Sequence, residues 1–134
     1  MKKLILGILL TLPLVTFAHR GTAKTIELNA YGSNRTIRQD FGTVFSHTQN
    51  SLEYRITAKN GIPAEIQDVQ LSGLNFHVNT NCPNVLTQGQ QCAVRLTYWP
   101  SQKTSNSSRQ YDTGLLVIKF ADSRVVIKLS GEAL

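Results

Sequence analysis

The sequence has little of what catalysis and nucleic-acid binding draw on. Two cysteines, three histidines and eight acidic residues are spread over 134 positions. No Gly-x-Ser-x-Gly, His-Glu-x-x-His or phosphate-loop pattern occurs, so the nucleophile elbow, zinc helix and anion cradle that those motifs build are not encoded. The carboxylates are scattered, and none is paired by spacing as a general acid and base. Of the histidines, His47 falls in a loop, His77 points outward beside Phe76, and His19 stands near the start of the chain. Nothing brings the three together, so no metal site and no cofactor is expected. The formal net charge is +6, but beyond Lys2-Lys3 the basic residues stand singly, without the concentrated stripe that nucleic acid requires. No internal repeat and no sustained helical period is present, which excludes a helical bundle.

What is present begins with a sorting signal. Lys2 and Lys3 precede an apolar stretch from Leu4 to Phe17, and Thr16-Phe17-Ala18 places small residues at a cleavage site. This is the layout of a cleavable signal peptide spanning residues 1–18, with Gly21-Thr22-Ala23 as a second candidate site. A membrane anchor is the competing reading, but the apolar run is shorter than the ~20 residues that span a bilayer and holds Pro13. No membrane span is therefore expected in the mature chain, and no cysteine near the cleavage point suggests a lipid anchor. Removal of the signal takes Lys2 and Lys3 and no acid, leaving a formal charge of about +4. The mature protein, residues 19–134, is expected to be exported to the bacterial periplasm or beyond the cell.

Export implies an oxidising compartment, where an even cysteine count implies a bridge, here Cys82 to Cys92. A redox or metal pair is the alternative. Redox motifs usually set the thiols two residues apart, and no histidine or second cysteine pair sits nearby to complete a zinc site.

The rest of the chain alternates. Leu52, Tyr54, Ile56 and Ala58 interleave with Glu53, Arg55, Thr57 and Lys59, which is the pattern of a strand with one buried face and one wet face. Strands are likewise expected over Thr25–Tyr31, Asp40–Phe45, Ile66–Leu71, Asn75–Val78, Cys92–Trp99, Gly114–Phe120 and Arg124–Ser130. The step from Ile66 to Val69 breaks period two and calls for a bulge near Gln67-Asp68. Turn residues separate the runs at Asn60-Gly61, Ser72-Gly73 and Thr87–Gln90, Pro100 ends one strand, and Ser101–Gln110, lacking any apolar residue, reads as a mobile loop. If Leu116 and Ile118 face the core with Ile127 and Val125, Val117 must stand across from Val126, around a turn at Ala121-Asp122 or one closing Lys119 against Arg124. Seven to eight short strands without helices make an all-β fold, an immunoglobulin-like β-sandwich, with a small closed barrel as the alternative.

The ordered set Asp40-Phe41-Gly42, Phe76, Cys82, Leu86, Gly89, Cys92, Val94, Leu96, Tyr98, Pro100, Leu116, Ile118 and Leu129-Ser130-Gly131 resembles the bacterial choice-of-anchor D domain. That domain belongs with the abnormal-spindle, hydin and major-sperm-protein type of immunoglobulin-like fold. The resemblance covers about residues 38–133. It implies the sandwich, a paired Cys82 and Cys92, and a module of the kind found in surface proteins, and it brings no catalytic residues. The chain departs from the pattern in its Tyr98-Trp99 pair before Pro100 and in its long polar loop.

Function is then sought on the surface. Trp99, Leu115, Val117 and Val126 are out of phase with the core positions and form a candidate interaction patch. The competing expectation is that Lys24–Asn34 folds over them, or that they are ordinary scattered surface apolars. The expected activity is that of a non-catalytic module mediating protein–protein or cell-envelope interaction, self-association included. A small-ligand or polymer-binding protein, or an enzyme with an unrecognised pocket, is the alternative.

Overall fold

The computed structural model describes residues 24–29, 34–58, 62–101 and 108–134. The expected signal peptide, His19, the Asn60-Gly61 turn and most of the polar loop lie outside the described residues. Nine strands are present among those described: β1 (Lys24–Asn29), β2 (Arg35–Val44), β3 (Asn50–Thr57), β4 (Ala64–Ser72), β5 (Phe76–Thr80), β6 (Val85–Leu86), β7 (Gln91–Tyr98), β8 (Gln110–Phe120) and β9 (Arg124–Ala133). They form a four-stranded sheet in the order β1-β3-β7-β5 and a five-stranded sheet in the order β2-β9-β8-β4-β6. Packed together, the two sheets make the immunoglobulin-like sandwich.

The expected count of seven to eight strands is corrected to nine. The unforeseen strand is β6, whose two residues, paired with Ala64 and Glu65 of β4, are too short to show alternation. Two strands are also longer than their apolar pattern. β2 starts at Arg35 because backbone pairing with β9 carries it through mostly exposed side chains. β8 starts at Gln110 because its first inward positions, Gln110 and Asp112, are buried but polar.

Alternation places the core where the pattern demands. Across the four-stranded sheet Ile26, Tyr54 and Val94 stand in one row, and Leu28, Ile56 and Cys92 in the next. Leu71, Leu116 and Ile127 answer them from the five-stranded sheet. Tyr54, Ile56, Val94, Leu96, Tyr98, Leu116, Ile118 and Ile127 are fully buried, each contributing about 1.5–3 kcal/mol of transfer free energy if the side chain is aliphatic. The bulge in β4 falls between Ile66 and Asp68, as the broken period requires.

Direction is less regular than composition. β1 runs parallel to β3, and β2 runs parallel to β9, so the first strand of each sheet pairs parallel at one lateral side of the sandwich. Every other pairing is antiparallel. Cys82 and Cys92 are joined, 10 residues apart, and the bridge ties the chain after β5 to the start of β7.

Candidate interaction face

The hairpin of β8 and β9 closes with Lys119 opposite Arg124, and inside that four-residue turn the Phe120 N–H donates to the Ser123 carbonyl at 2.8 Å. With this register Leu116 opposes Ile127, and Val117 opposes Val126. Since neighbouring residues on a strand point to opposite faces, burying the first pair turns the second outward. Gln70 and Thr36 extend the valine row across the sheet. The adjacent row reads Arg38, Lys128, Leu115 and Ser72. Leu115 is 36% exposed, while Val117 and Val126 are half-buried by their neighbours.

The structure therefore brings Leu115, Val117 and Val126 together on the outer face of the five-stranded sheet. It does not bring Trp99 to them. Trp99 follows Tyr98 at the end of β7, in the other sheet, and its ring lies 6.0 Å from that of His77. The cause is the sandwich itself: outward phase on β7 leads to the opposite side of the molecule from outward phase on β8. Trp99 is thus removed from the patch. The expected cover is also absent among the described residues, because β1 pairs with β3 in the four-stranded sheet rather than crossing the valines.

Charge is distributed unevenly over this face. Arg124, Lys119 and Asp68 form the row beyond the valines, and Arg38 and Lys128 flank Leu115. At the other end stand Asp40, Ser130 and Thr113, then Glu132 and Tyr111. Arg109 and Glu132 form an ion pair at 3.4 Å. Arg38, Lys119, Arg124 and Lys128 have no carboxylate within ion-pair distance among the described residues.

Two hollows open on the same face. One, of about 550 Å³, is lined by Arg38, Asp40, Thr113, Leu115, Lys128 and Ser130. The second, of about 320 Å³, takes in Thr43, Tyr111 and Glu132 and shares Asp40, Thr113 and Ser130 with the first. Together they form one shallow groove. A third hollow, lined mainly by Ile62, Pro63, Val85 and Phe120, lies at the β6 edge, away from the groove.

Beneath the groove β8 is fixed by a buried carboxylate. The Asp112 Oδ2 accepts the Tyr98 hydroxyl at 2.7 Å and the Asn75 amide at 3.0 Å, and Oδ1 accepts the Gln110 amide at 2.9 Å. All four residues are buried. Burial, the hydrogen bond to Asp112 and the charges of Asp112 and Glu132 together push the Tyr98 hydroxyl well above the usual tyrosine range. Burial alone pushes Tyr54 up to about 12. Sequence reading missed this cluster, although extending the inward phase of Leu116 and Ile118 back through Gly114 arrives at Asp112 and Gln110.

Among the described residues no group of three His, Cys, Asp or Glu side chains could hold a metal ion. No helix among them is long and apolar enough to cross a membrane.

No family model and no curated protein matches the chain. Among solved structures, the Vibrio cholerae VesB protease aligns with 83% of this chain and 30% of its own, at 10% identity and a TM-score of 0.43. The CupB6 tip adhesin from Pseudomonas aeruginosa aligns with 85% of this chain and 42% of its own, at 10% identity and a TM-score of 0.49. The chain spans less than half the length of either. Neither likeness speaks to the residues of the outer face.

Proposed function

We propose that this chain is an exported, non-catalytic immunoglobulin-like module of the bacterial cell envelope, akin to choice-of-anchor D domains, that binds an envelope component through the outer face of its five-stranded sheet. One observation carries this reading. Val117, Val126 and Leu115 form an outward apolar strip bordered by Arg38, Lys119, Arg124 and Lys128, none of them in an ion pair among the described residues. An apolar centre with a charged rim is the usual anatomy of a contact surface. The fixed strands of a sandwich hold such a surface without an ordering cost at the moment of binding.

The reading is tested by immobilising the mature, disulfide-bonded protein and passing envelope extract over it. Val117→Lys and Val126→Lys, each made singly, are expected to abolish retention while the melting temperature stays within a few degrees. Trp99→Ala and Arg55→Glu, both altering the opposite sheet, are expected to leave retention intact. Equal retention by all four variants, or loss only on the Trp99 side, would overturn the assignment of the face. A dimer dissolved by Val117→Lys would place a second copy of the chain in the role of partner.

A further inference from the structure

The groove, rather than the apolar strip, says most about what the face would hold. We infer that it is a binding site for an acidic glycan, a linear chain of sugar rings bearing anionic groups, which lies along β8 and β9 with one ring on Tyr111 and its acidic groups toward Arg38 and Lys128. This rests on the reading that the outer face of the five-stranded sheet is the binding face.

Tyr111 is 72% exposed, more than any other large apolar side chain among the described residues. It sits at the end of the 320 Å³ hollow, on the outer row that pairs with Glu132. An exposed aromatic ring on a rigid strand offers a flat apolar platform with a polar tip, matching the C–H face of a pyranose ring.

The groove floor next to Tyr111 is made of groups suited to sugar hydroxyls. Thr113 and Ser130 contribute hydroxyls that both donate and accept. Two carboxylates are held in place before any ligand arrives. Asp40 Oδ1 accepts the Gly42 N–H at 2.9 Å, and Glu132 receives Arg109 at 3.4 Å and the Thr43 hydroxyl at 3.3 Å. Each keeps lone pairs for a further donor. The buried Asp112 and its three donors fix the start of β8 directly below, so the site is preorganised in the sense that lowers binding cost.

The charge then selects the ligand. Past Thr113 and Ser130 the groove meets Arg38 and Lys128, which face each other across β2 and β9. Neither has an acidic partner among the described residues. A neutral glycan would leave both cations without a counter-charge, whereas a carboxylated one would supply it. From Tyr111 to Leu115, the neighbour of Lys128, is a rise of about 13 Å along β8 at roughly 3.3 Å per residue. That length is spanned by a short oligosaccharide rather than a single sugar.

The experiment uses the mature, disulfide-bonded protein and two probes, a hexamer of galacturonic acid and the neutral hexamer cellohexaose, titrated at low and at physiological salt by calorimetry and by amide chemical shifts. The uronate is expected to bind, to shift amides of Arg38, Asp40, Tyr111, Thr113 and Lys128, and to bind at least about tenfold more tightly than the neutral chain, a ratio that corresponds to roughly 1.4 kcal/mol. Tyr111→Ala is expected to weaken both probes about tenfold. Arg38→Gln with Lys128→Gln is expected to remove the preference for the uronate. All three side chains are exposed, so the variants keep the fold. Failure of both hexamers to bind would overturn the inference, as would uronate binding that persists undiminished in Tyr111→Ala and Arg38→Gln/Lys128→Gln. If envelope retention still depends on Val117 while neither hexamer binds, the glycan is discarded and the binding face stands.

Discussion

The Tyr98 hydroxyl donates to Asp112 Oδ2 at 2.7 Å, tying the end of β7 in one sheet to the start of β8 in the other. The pair is enclosed. Phe76 stacks on the Tyr98 ring with centroids 4.9 Å apart, Phe41 leans on it at 5.9 Å, and Gly131 passes over its edge. A buried carboxylate is costly unless it is hydrogen-bonded, and here Asn75 and Gln110 add two more donors. The cluster is a polar latch inside an apolar sandwich.

Tyr98→Phe keeps the ring and deletes the donor. A hydrogen bond to a charged group contributes about 1.5–3 kcal/mol, so urea denaturation should show a loss in that range. Asp112→Ala should cost about 3 kcal/mol or more, because it removes the buried carboxylate that accepts from Tyr98, Asn75 and Gln110. If Asp112→Ala proves as stable as wild type, the latch does not hold the sheets.

Stability should fall in alkali for a defined reason. Tyr54 is pushed up to about 12 and Tyr98 is raised further, while tyrosines in the unfolded chain ionise near 10. A folded-state pKa above the unfolded one gives stability that is complete below pH 10 and lost as pH rises through the folded value. Between about pH 10 and 12 each of the two should remove roughly 1.4 kcal/mol per pH unit. Urea midpoints measured from pH 8 to 11.5 should therefore drop steeply above 10, and less steeply in Tyr54→Phe.

Gly131 has no room for a methyl group. A Cβ there would stand 2.5 to 2.8 Å from Tyr98 ring carbons, and the ring cannot yield while Phe76 and Asp112 hold it. Gly131→Ala should cost about 1–3 kcal/mol by overpacking. Gly89 offers the contrast: open space surrounds it, but its φ is +78°, so Gly89→Ala should cost about 1–2 kcal/mol through the backbone alone. Combining Gly131→Ala with Tyr98→Ala should recover part of the clash, which a thermal melt would show.

Reducing the Cys82–Cys92 bridge, or replacing both by serine, should destabilise by about 2–3 kcal/mol in the chain-entropy account of a loop this short. The fold should survive at room temperature, since Cys92 is one core position among many. Melting with and without a thiol reductant checks this.

Leu28 is buried where β1 meets Ile56. Leu28→Ala should cost about 2–5 kcal/mol. Amide exchange should quicken first in β1 and along the β3 edge that it covers, because among the described residues β1 pairs with β3 alone.

The alternation of Leu52, Tyr54, Ile56 and of Val94, Leu96, Tyr98 was enough to place two strands, their buried faces and the sandwich class. The broken step between Ile66 and Val69 was enough to place a bulge. The pairing of Val117 with Val126 followed from the same phase argument. The polar start of β8 was not legible, because Gln110 and Asp112 look like loop residues until Tyr98 and Asn75 arrive to satisfy them. Strand β6 was not legible because two residues carry no period.

Period two tells inside from outside along one strand, and so the sequence by itself determined which side chains are buried and which are turned away in the strands whose apolar alternation is clear. It carries no record of which sheet a strand joins. Tertiary structure alone decided that Trp99 faces away on one sheet while Leu115, Val117 and Val126 face away on the other. It also decided that Arg38, Lys128, Thr113, Ser130 and Tyr111, drawn from β2, β8 and β9, line one groove. The physical reason is that phase is local to a strand, whereas a surface is assembled by hydrogen-bond pairing between strands distant in the chain.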